Sequence, residues 1–220
     1  GAGHFTIDVA LDAVNERVVV IGYKNIFTND GGGDVYPVDV PILLWRDYNN
    51  TVVHRAYDWG RETEGDRWLN RLTNNMADTR GIRVTFGPDG MLYAGFEFDG
   101  GNTPLRYDPY DLDISVVHSG VGKYHTTENT TTVPKIFVGK FDPVTGAYAQ
   151  GIKLVNRLSS GADNTMGLSG GDLVVDEQLR VHVGGASAAG MPLSIDNVPG
   201  AYSGGAYYYV LSPDFSSREL

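Results

Sequence analysis

The sequence predicts an all-β fold built from about three four-stranded sheets. An apolar run, a short polar turn and a second apolar run recur at 5–25, 80–100 and 170–190. A second hairpin follows each copy, at 42–53, 136–150 and 207–220. Two hairpins per unit, in several consecutive units, are typical of radially repeated four-stranded sheets. We therefore expect a segment of a β-propeller, with each unit forming one blade.

Two landmarks align the three units. The second apolar run of the units ends at Gly22, Gly95 and Gly184. The turn of the second hairpin carries Asp47, Asp142 and Asp214. Glycine and aspartate are residues that tight turns favour, since they tolerate positive φ or cap the turn.

The first unit, 1–59, contains four predicted strands. They span 5–11, 17–23, 40–46 and 51–57. Each is rich in β-branched or aromatic residues and is bounded by Asn, Asp or Gly, as strands are. A connector, 60–79, follows. In it, Trp68, Leu69 and Leu72 form one apolar stripe that predicts a short helix near 61–75, although Gly65 weakens it.

The second unit, 80–158, carries a long insertion at 102–134. Its glycine and aspartate landmarks are 47 residues apart (95 to 142), against 25 in the first unit (22 to 47) and 30 in the third (184 to 214). Loops of this length on a compact scaffold are often functional. The third unit, 159–220, has an incomplete outer strand.

Composition excludes several classes of function. The formal charge is 17 − 27 = −10, so a phosphate backbone would be repelled and no nucleic-acid partner is expected. The chain has no cysteine, which excludes disulfides and thiolate zinc sites. The longest clean apolar runs, 18–21 and 42–45, are far shorter than the roughly 20 residues of a membrane helix.

The insertion supplies the candidate ligand-binding residues. They are Asn102, Arg106, Tyr107, Tyr110 and Tyr124. Aromatic rings beside hydrogen-bonding side chains suit the stacking and hydroxyl contacts that sugars make. If the protein is an enzyme, Tyr124, His125 and Arg106 are the candidate catalytic residues, because histidine transfers protons near neutral pH. His54 and His182 lie in predicted strands and are expected to be structural.

No cofactor is predicted, with calcium as the alternative. Asp108, Asp111 and Asp113 offer the oxygen ligands that calcium prefers, but they lack the spacing of an EF-hand loop. A G-x-S-x-G pattern at 167–171 precedes a predicted strand, where the hydrolase nucleophile turn needs a helix. We therefore do not assign it a catalytic role.

The third unit resembles the bacterial seven-bladed β-propeller repeat of secreted and cell-surface proteins. The matching segments are 171–176, 180–187, 191–192, 199–202, 204–210 and 211–214. The second unit matches in two halves, and the first matches loosely, with 13–16 as its first turn. This resemblance implies the fold and a secreted, extracellular or cell-envelope location, and it implies no catalytic residues.

Three units do not close a ring, since known propellers have 4 to 8 blades. We therefore expect a segment of a larger propeller, or a ring completed by other copies or chains. The leading interpretation is a non-catalytic propeller scaffold or binding module, for glycan or protein, in an exported bacterial protein. The first alternative is a polysaccharide-active lyase or hydrolase that uses the insertion. The second is a structural subunit of a surface layer or filament. Expected partners are other propeller blades or protein subunits, or a glycan.

Overall fold

The computed structural model describes residues 4–29, 35–58, 78–99, 105, 107–111, 113–114, 116, 133–190 and 203–218. These residues form β-strands and connecting turns, without an α-helix among them, so the all-β prediction is confirmed. The predicted helix near 61–75 lies outside the described residues. No helix in the described part of the chain is long and apolar enough to cross a membrane.

The strands form three main antiparallel sheets in chain order. Sheet I contains β1 (His4–Asp12), β2 (Arg17–Asn29), β3 (Val35–Asp47) and β4 (Val52–Ala56). Sheet II contains β5 (Thr79–Phe86), β6 (Leu92–Phe98), β7 (Lys135–Phe141) and β8 (Tyr148–Leu154). A two-stranded sheet pairs β9 (Asn156–Arg157) with β10 (Asp163–Asn164). Sheet III contains β11 (Met166–Val175), β12 (Val181–Ser187) and β13 (Gly205–Leu211).

Within each main sheet, consecutive strands are neighbours. Turns at the predicted places join β1 to β2, β3 to β4, β5 to β6, β7 to β8 and β11 to β12. Gly90 and Gly146 adopt φ values of 75° and 71° in the β5–β6 and β7–β8 turns, a region that glycine enters without a Cβ penalty. In the β3–β4 turn, Asn50 takes φ 65°, which asparagine tolerates better than most residues. The carboxylate of Asp47 accepts a hydrogen bond from the Thr51 N–H there, at 2.7 Å.

The first strand of every main sheet has an irregularity in its pairing. It lies between Thr6 and Asp8 in β1, between Gly81 and Arg83 in β5, and between Gly167 and Asp172 in β11. The first pair after the irregularity is Asp8–Ile21, Arg83–Gly95 and Asp172–Gly184, respectively. Ile21, Gly95 and Gly184 are therefore equivalent positions in the three sheets.

This equivalence corrects the alignment of the first unit on Gly22. Gly22 pairs with Thr6 beside the bulge, and a Cβ at this position would lie 1.8 Å from the backbone oxygen of Phe5. Glycine is needed there for close backbone approach, not as the counterpart of Gly95. The alignment of the first unit on Gly22 is therefore off by one residue. Because side chains alternate between the two faces of a strand, that alignment would assign the residues of β2 to the wrong faces of sheet I.

Sheet II lies between sheets I and III, with one hydrophobic core on each of its faces. Residues that contribute from sheet I to the first core include Val19, Ile21, Leu43 and Trp45, and those from sheet II include Leu92, Ala94, Phe137 and Phe141. The second core joins Tyr93, Ile136 and Val138 of sheet II to Val181, Val183, Tyr209 and Leu211 of sheet III. Alternate residues of each strand of sheet II therefore face opposite neighbours.

Candidate functional site

Sheet I has a second apolar face, which points away from sheet II. Strand alternation places six apolar residues there: Val9, Leu11, Val18, Val20, Ile42 and Leu44. We call this set the outer face of sheet I. Val20, Ile42 and Leu44, with Val18 packed against them, form a separate small cluster. No described residue of sheet II or III belongs to that cluster.

The outer face of sheet I carries the residues of an inter-sheet interface. Val9 pairs with Val20, as its equivalents Val84 and Leu173 pair with Ala94 and Val183. Val84 is 5% exposed and Leu173 is 3% exposed, because each packs against the preceding sheet.

In sheet I, by contrast, the β1 side chains on this face are exposed. Val9 is 55% exposed and Leu11 is 61% exposed. The equivalents of Leu11 are Phe86 and Val175, which pack against the two cores. The outer face of sheet I is thus built like a buried face. Ile42 and Leu44 at its centre are buried, and Val9 and Leu11 at its β1 edge are open to solvent.

A groove of about 520 Å³ lies on this face. Its lining residues are His4, Thr6, Val18, Val20, Ile42, Leu44, Arg46, Asp47, Tyr48 and Asn50. The floor is aliphatic, and one end is polar. At that end, Arg46 Nη1 donates a hydrogen bond to the Asn50 carbonyl oxygen at 2.9 Å. Such a groove suits a side chain that is mainly apolar with a polar tip.

Sheet III has a corresponding face that points away from sheet II. By alternation it contains Val174, His182, Gly184, Tyr208 and Val210, which we call the outer face of sheet III. Val174 and Tyr208 are each about half exposed. The equivalents of Tyr208 are Leu43 and Val138, and both are fully buried between sheets.

Three side chains form a hydrogen-bonded chain on the outer face of sheet III. Tyr208 Oη lies 2.6 Å from His182 Nδ1, and His182 Nε2 lies 3.0 Å from Asp176 Oδ2. Arg180 Nε also donates to Asp176 Oδ2, at 2.7 Å. Desolvation raises the pKa of Asp176, but the hydrogen bonds from His182 and Arg180 outweigh it and hold that pKa below its ordinary value.

A similar cluster in sheet II indicates a structural role for Asp176, His182 and Tyr208. Tyr93, the equivalent of His182, donates its hydroxyl to Asp89 Oδ2 at 3.1 Å, and Lys140 Nζ lies 2.7 Å from the same oxygen. Tyr93 is fully buried in the core between sheets II and III. The polar cluster of sheet II thus anchors a turn at an inter-sheet interface. We interpret the cluster around His182 in the same way.

Sequence reasoning did not connect His182 with Tyr208. Asp176 and His182 flank one hairpin turn, so their proximity could have been predicted from spacing. Tyr208 reaches His182 only through the register of β12 with β13, in which His182 pairs with Val210 and Gly184 with Tyr208. The sequence that connects β12 with β13 contains no pattern that predicts this pairing.

Two tyrosines of the insertion lie within the described residues. Tyr107 packs against the core between sheets I and II. Tyr110 donates its hydroxyl to the Thr145 carbonyl oxygen at 2.8 Å, which ties the insertion to the β7–β8 turn. Burial, followed by the charges of Asp108 and Asp142, raises the pKa of Tyr110 to about 12. The other candidates, Asn102, Arg106, Tyr124 and His125, lie outside the described residues.

Two of the three candidate calcium ligands, Asp108 and Asp111, accept hydrogen bonds from the backbone of their own loop. Asp108 Oδ1 accepts the Tyr110 N–H at 2.8 Å, and Asp111 Oδ1 accepts the Asp113 N–H at 2.9 Å. Among the residues that the structure describes, no three His, Cys, Asp or Glu side chains are grouped so that they could hold a metal ion. Calcium binding by Asp108, Asp111 and Asp113 stays a prediction.

No protein-family model matches the chain. No curated protein sequence matches it either.

Proposed function

We propose that this protein is a non-catalytic β-propeller scaffold whose two outer faces bind further protein. One observation carries the proposal: Val9 and Leu11 are exposed where their equivalents in sheets II and III are buried or packed against a core. Exposed apolar patches of this kind mark interaction surfaces.

Sheet II packs on sheet I through the same positions that sheet III uses to pack on sheet II, which supports the propeller arrangement. Val20, Ala94 and Val183 occupy one equivalent position, and Ala94 and Val183 each face the sheet that precedes them. Ile21 and Val138 face the sheet that follows. Successive propeller blades require a packing step that repeats from sheet to sheet in this way.

The chemistry of the outer face of sheet I favours protein over glycan. Sugar sites use aromatic rings with hydrogen-bonding groups around them. The valine and leucine side chains of this face provide neither, and Tyr48, Arg46 and Asn50 belong to the polar end of the groove. The aliphatic part matches the apolar centre of a protein–protein interface. The exported setting rests on the resemblance of the third unit to secreted propeller repeats.

Val9→Ala and Val84→Ala test whether the outer face is an external surface. Val9→Ala should change the free energy of unfolding by less than about 0.5 kcal/mol, because the side chain is already in water. Val84→Ala should cost about 2 kcal/mol, since it removes buried methyl groups and leaves a cavity. Urea denaturation of both variants gives the comparison. Equal losses would show that Val9 lies in an intramolecular core, contrary to the proposal.

The absence of catalysis is tested by incubating the full chain with neutral and anionic polysaccharides. We expect no release of reducing ends and no unsaturated products. Turnover of any polysaccharide that is lost in His125→Ala and Tyr124→Phe would instead support the enzyme alternative.

A further inference from the structure

We propose that Asn49, at the tip of the exposed β3–β4 turn of sheet I, is an acceptor site for an N-linked glycan. Residues 47–51 read DYNNT, so Asn49 and Thr51 form an Asn-x-Thr sequon without a proline between them. Such a sequon is an acceptor where it lies in a surface loop of an exported protein. This modification goes beyond the proposed scaffold function and rests on its exported setting.

Backbone hydrogen bonds place Asn49 at the tip of the turn. The Asn50 N–H donates to the Asp47 carbonyl oxygen at 2.9 Å, and the Asp47 N–H donates to the Thr51 carbonyl oxygen at 2.9 Å. Tyr48 and Asn49 are therefore the two central residues of a β-turn. Both are exposed, as are Asn50 and Thr51. A transferase can thus reach the whole sequon from solvent while the hairpin stays folded.

The fold does not use the Asn49 carboxamide. Among the described residues this group has no hydrogen-bond partner, whereas other side chains of the turn do. Arg46 Nη1 donates to Asn50 Oδ1 at 3.2 Å, and Asp47 Oδ1 accepts the Thr51 N–H at 2.7 Å. Asn50, with its φ of 65°, therefore shapes the turn, while the neighbouring Asn49 side chain is left available for modification.

A glycan on Asn49 has room outside the folded chain. Tyr48 and Asn50 line the groove on the outer face of sheet I, but Asn49 does not. The Tyr48 ring beside it is 57% exposed, which gives the first sugar an aromatic surface to stack on. Because a glycan is bulky and hydrated, a surface position of this kind accommodates it. Its attachment removes no hydrogen bond among the described residues, so the glycosylated chain should keep the same fold.

Transfer of the glycan forms one bond and breaks one. Asn49 Nδ2 bonds to the anomeric carbon of an oligosaccharide that is carried on a polyprenyl diphosphate, and the bond from that carbon to the diphosphate oxygen breaks. The lipid diphosphate leaves, and Nδ2 gives one proton to a base of the transferase. Resonance with the carbonyl group delocalises the lone pair of an amide nitrogen, so the transferase must reorient the carboxamide. A carboxamide without hydrogen bonds to its own fold permits this.

The acidic residue of the turn indicates which class of transferase fits. One class of bacterial oligosaccharyltransferase requires an Asp or Glu two positions before the acceptor asparagine, and Asp47 holds that position before Asn49. The chain has a second Asn-x-Thr sequon at Asn129, which lies outside the described residues. Thr127 stands two positions before it, so this sequon lacks the acidic residue. Asn129 is therefore a matched internal control for Asn49.

Glycosylation of the folded full chain in vitro tests the proposal. The chain is incubated with a purified bacterial oligosaccharyltransferase of this class and a polyprenyl-diphosphate oligosaccharide, and the product is mapped by mass spectrometry. We expect one oligosaccharide, on Asn49, which Asn49→Gln abolishes and Asn129→Gln leaves unchanged. Modification of Asn129 instead would overturn the proposal. A folded chain that stays unmodified would also overturn it, whether or not a synthetic peptide of residues 44–54 is glycosylated.

Conservative variants separate recognition of the sequon from loss of the turn. Thr51→Ser and Asp47→Glu should still be glycosylated, whereas Thr51→Ala and Asp47→Asn should not. Circular dichroism establishes that each variant is folded, which matters because Asp47 also accepts the Thr51 N–H. Undiminished glycosylation of Thr51→Ala would overturn the assignment of this sequon. Failure of glycosylation at Asn49 would leave the scaffold proposal intact, because binding of protein to the outer faces does not depend on a glycan.

Discussion

At the scale of single residues, a buried ion pair holds the end of sheet I. Lys24 Nζ lies 2.6 Å from Asp58 Oδ1, and both side chains are buried. Arg55 Nη1 reaches the other carboxylate oxygen at 3.0 Å, but Arg55 is partly exposed. Removing one member of a buried pair is strongly destabilising, and the contact from the partly exposed Arg55 would offset only part of the loss of Lys24.

Lys24→Met should therefore lower the free energy of unfolding by about 3 kcal/mol. Arg55→Met should cost less than about 1 kcal/mol, because a pair with a partly exposed member contributes little and Lys24 still neutralises Asp58. Urea denaturation at neutral pH measures both. If the two variants lost the same stability, the buried pair would not be the anchor that its geometry indicates.

The turn that ends sheet III should make stability depend on pH. Hydrogen bonds from the hydroxyls of Ser216 and Ser212, and then from the Ser216 N–H, lower the pKa of Asp214 from 3.8 to about 2. Because the folded-state pKa is the lower one, this carboxylate stabilises the fold above about pH 4, and its contribution is lost as pH falls toward 2.

Asp214→Asn should consequently reduce the fall in melting temperature between about pH 4 and pH 2. Ser216→Ala should reduce it in the same direction, because it removes one of the hydrogen bonds that hold the charged form. Thermal unfolding at both pH values is the measurement. An unchanged pH dependence in Asp214→Asn would contradict this role of the turn.

At the scale of elements, alternating apolar residues were sufficient to predict the strands of sheet I. The predicted segments 5–11 and 17–23 lie within β1 and β2, but β2 extends to Asn29 and β3 begins at Val35. These extensions come from the mutual pairing of the two strands, which local composition does not reveal. The alignment on Gly22 was wrong for a related reason: a bulge is defined by cross-strand hydrogen bonds, not by residue type.

The corrected equivalence of Gly95 and Gly184 can be tested with one substitution at each site. Gly95→Val should lower the free energy of unfolding by about 1–3 kcal/mol, because the space is filled by Leu168 and Leu173. Gly184→Val should change it by less than about 0.5 kcal/mol, since among the described residues a Cβ there would meet only the Tyr207 carbonyl oxygen, at 3.5 Å. A comparable loss at both sites would mean that the outer face of sheet III is covered within the chain.

At the scale of the whole molecule, the sequence predicted three units, of which the first and the last lack a neighbour on one side. It did not predict which residues of those units are exposed. The repeat count implied an unclosed ring. Identifying Val9 and Leu11 required their exposure and the register of β1 with β2, because the same residues would be buried in a sheet that lies between two others. The insertion was a candidate site because of its length. Among its described residues, Tyr107 packs against the core between sheets I and II, and Tyr110 bonds to the β7–β8 turn.

The arrangement of the sheets about one axis is tested most directly by an experimental structure of the full chain. The measured quantity is the rotation that superposes sheet I on sheet II, compared with the rotation that superposes sheet II on sheet III. With Ile21, Gly95 and Gly184 as equivalent positions, we predict two similar rotations about a shared axis, along which β1, β5 and β11 lie innermost. Sheets stacked by translation, or rotated about unrelated axes, would contradict the propeller arrangement.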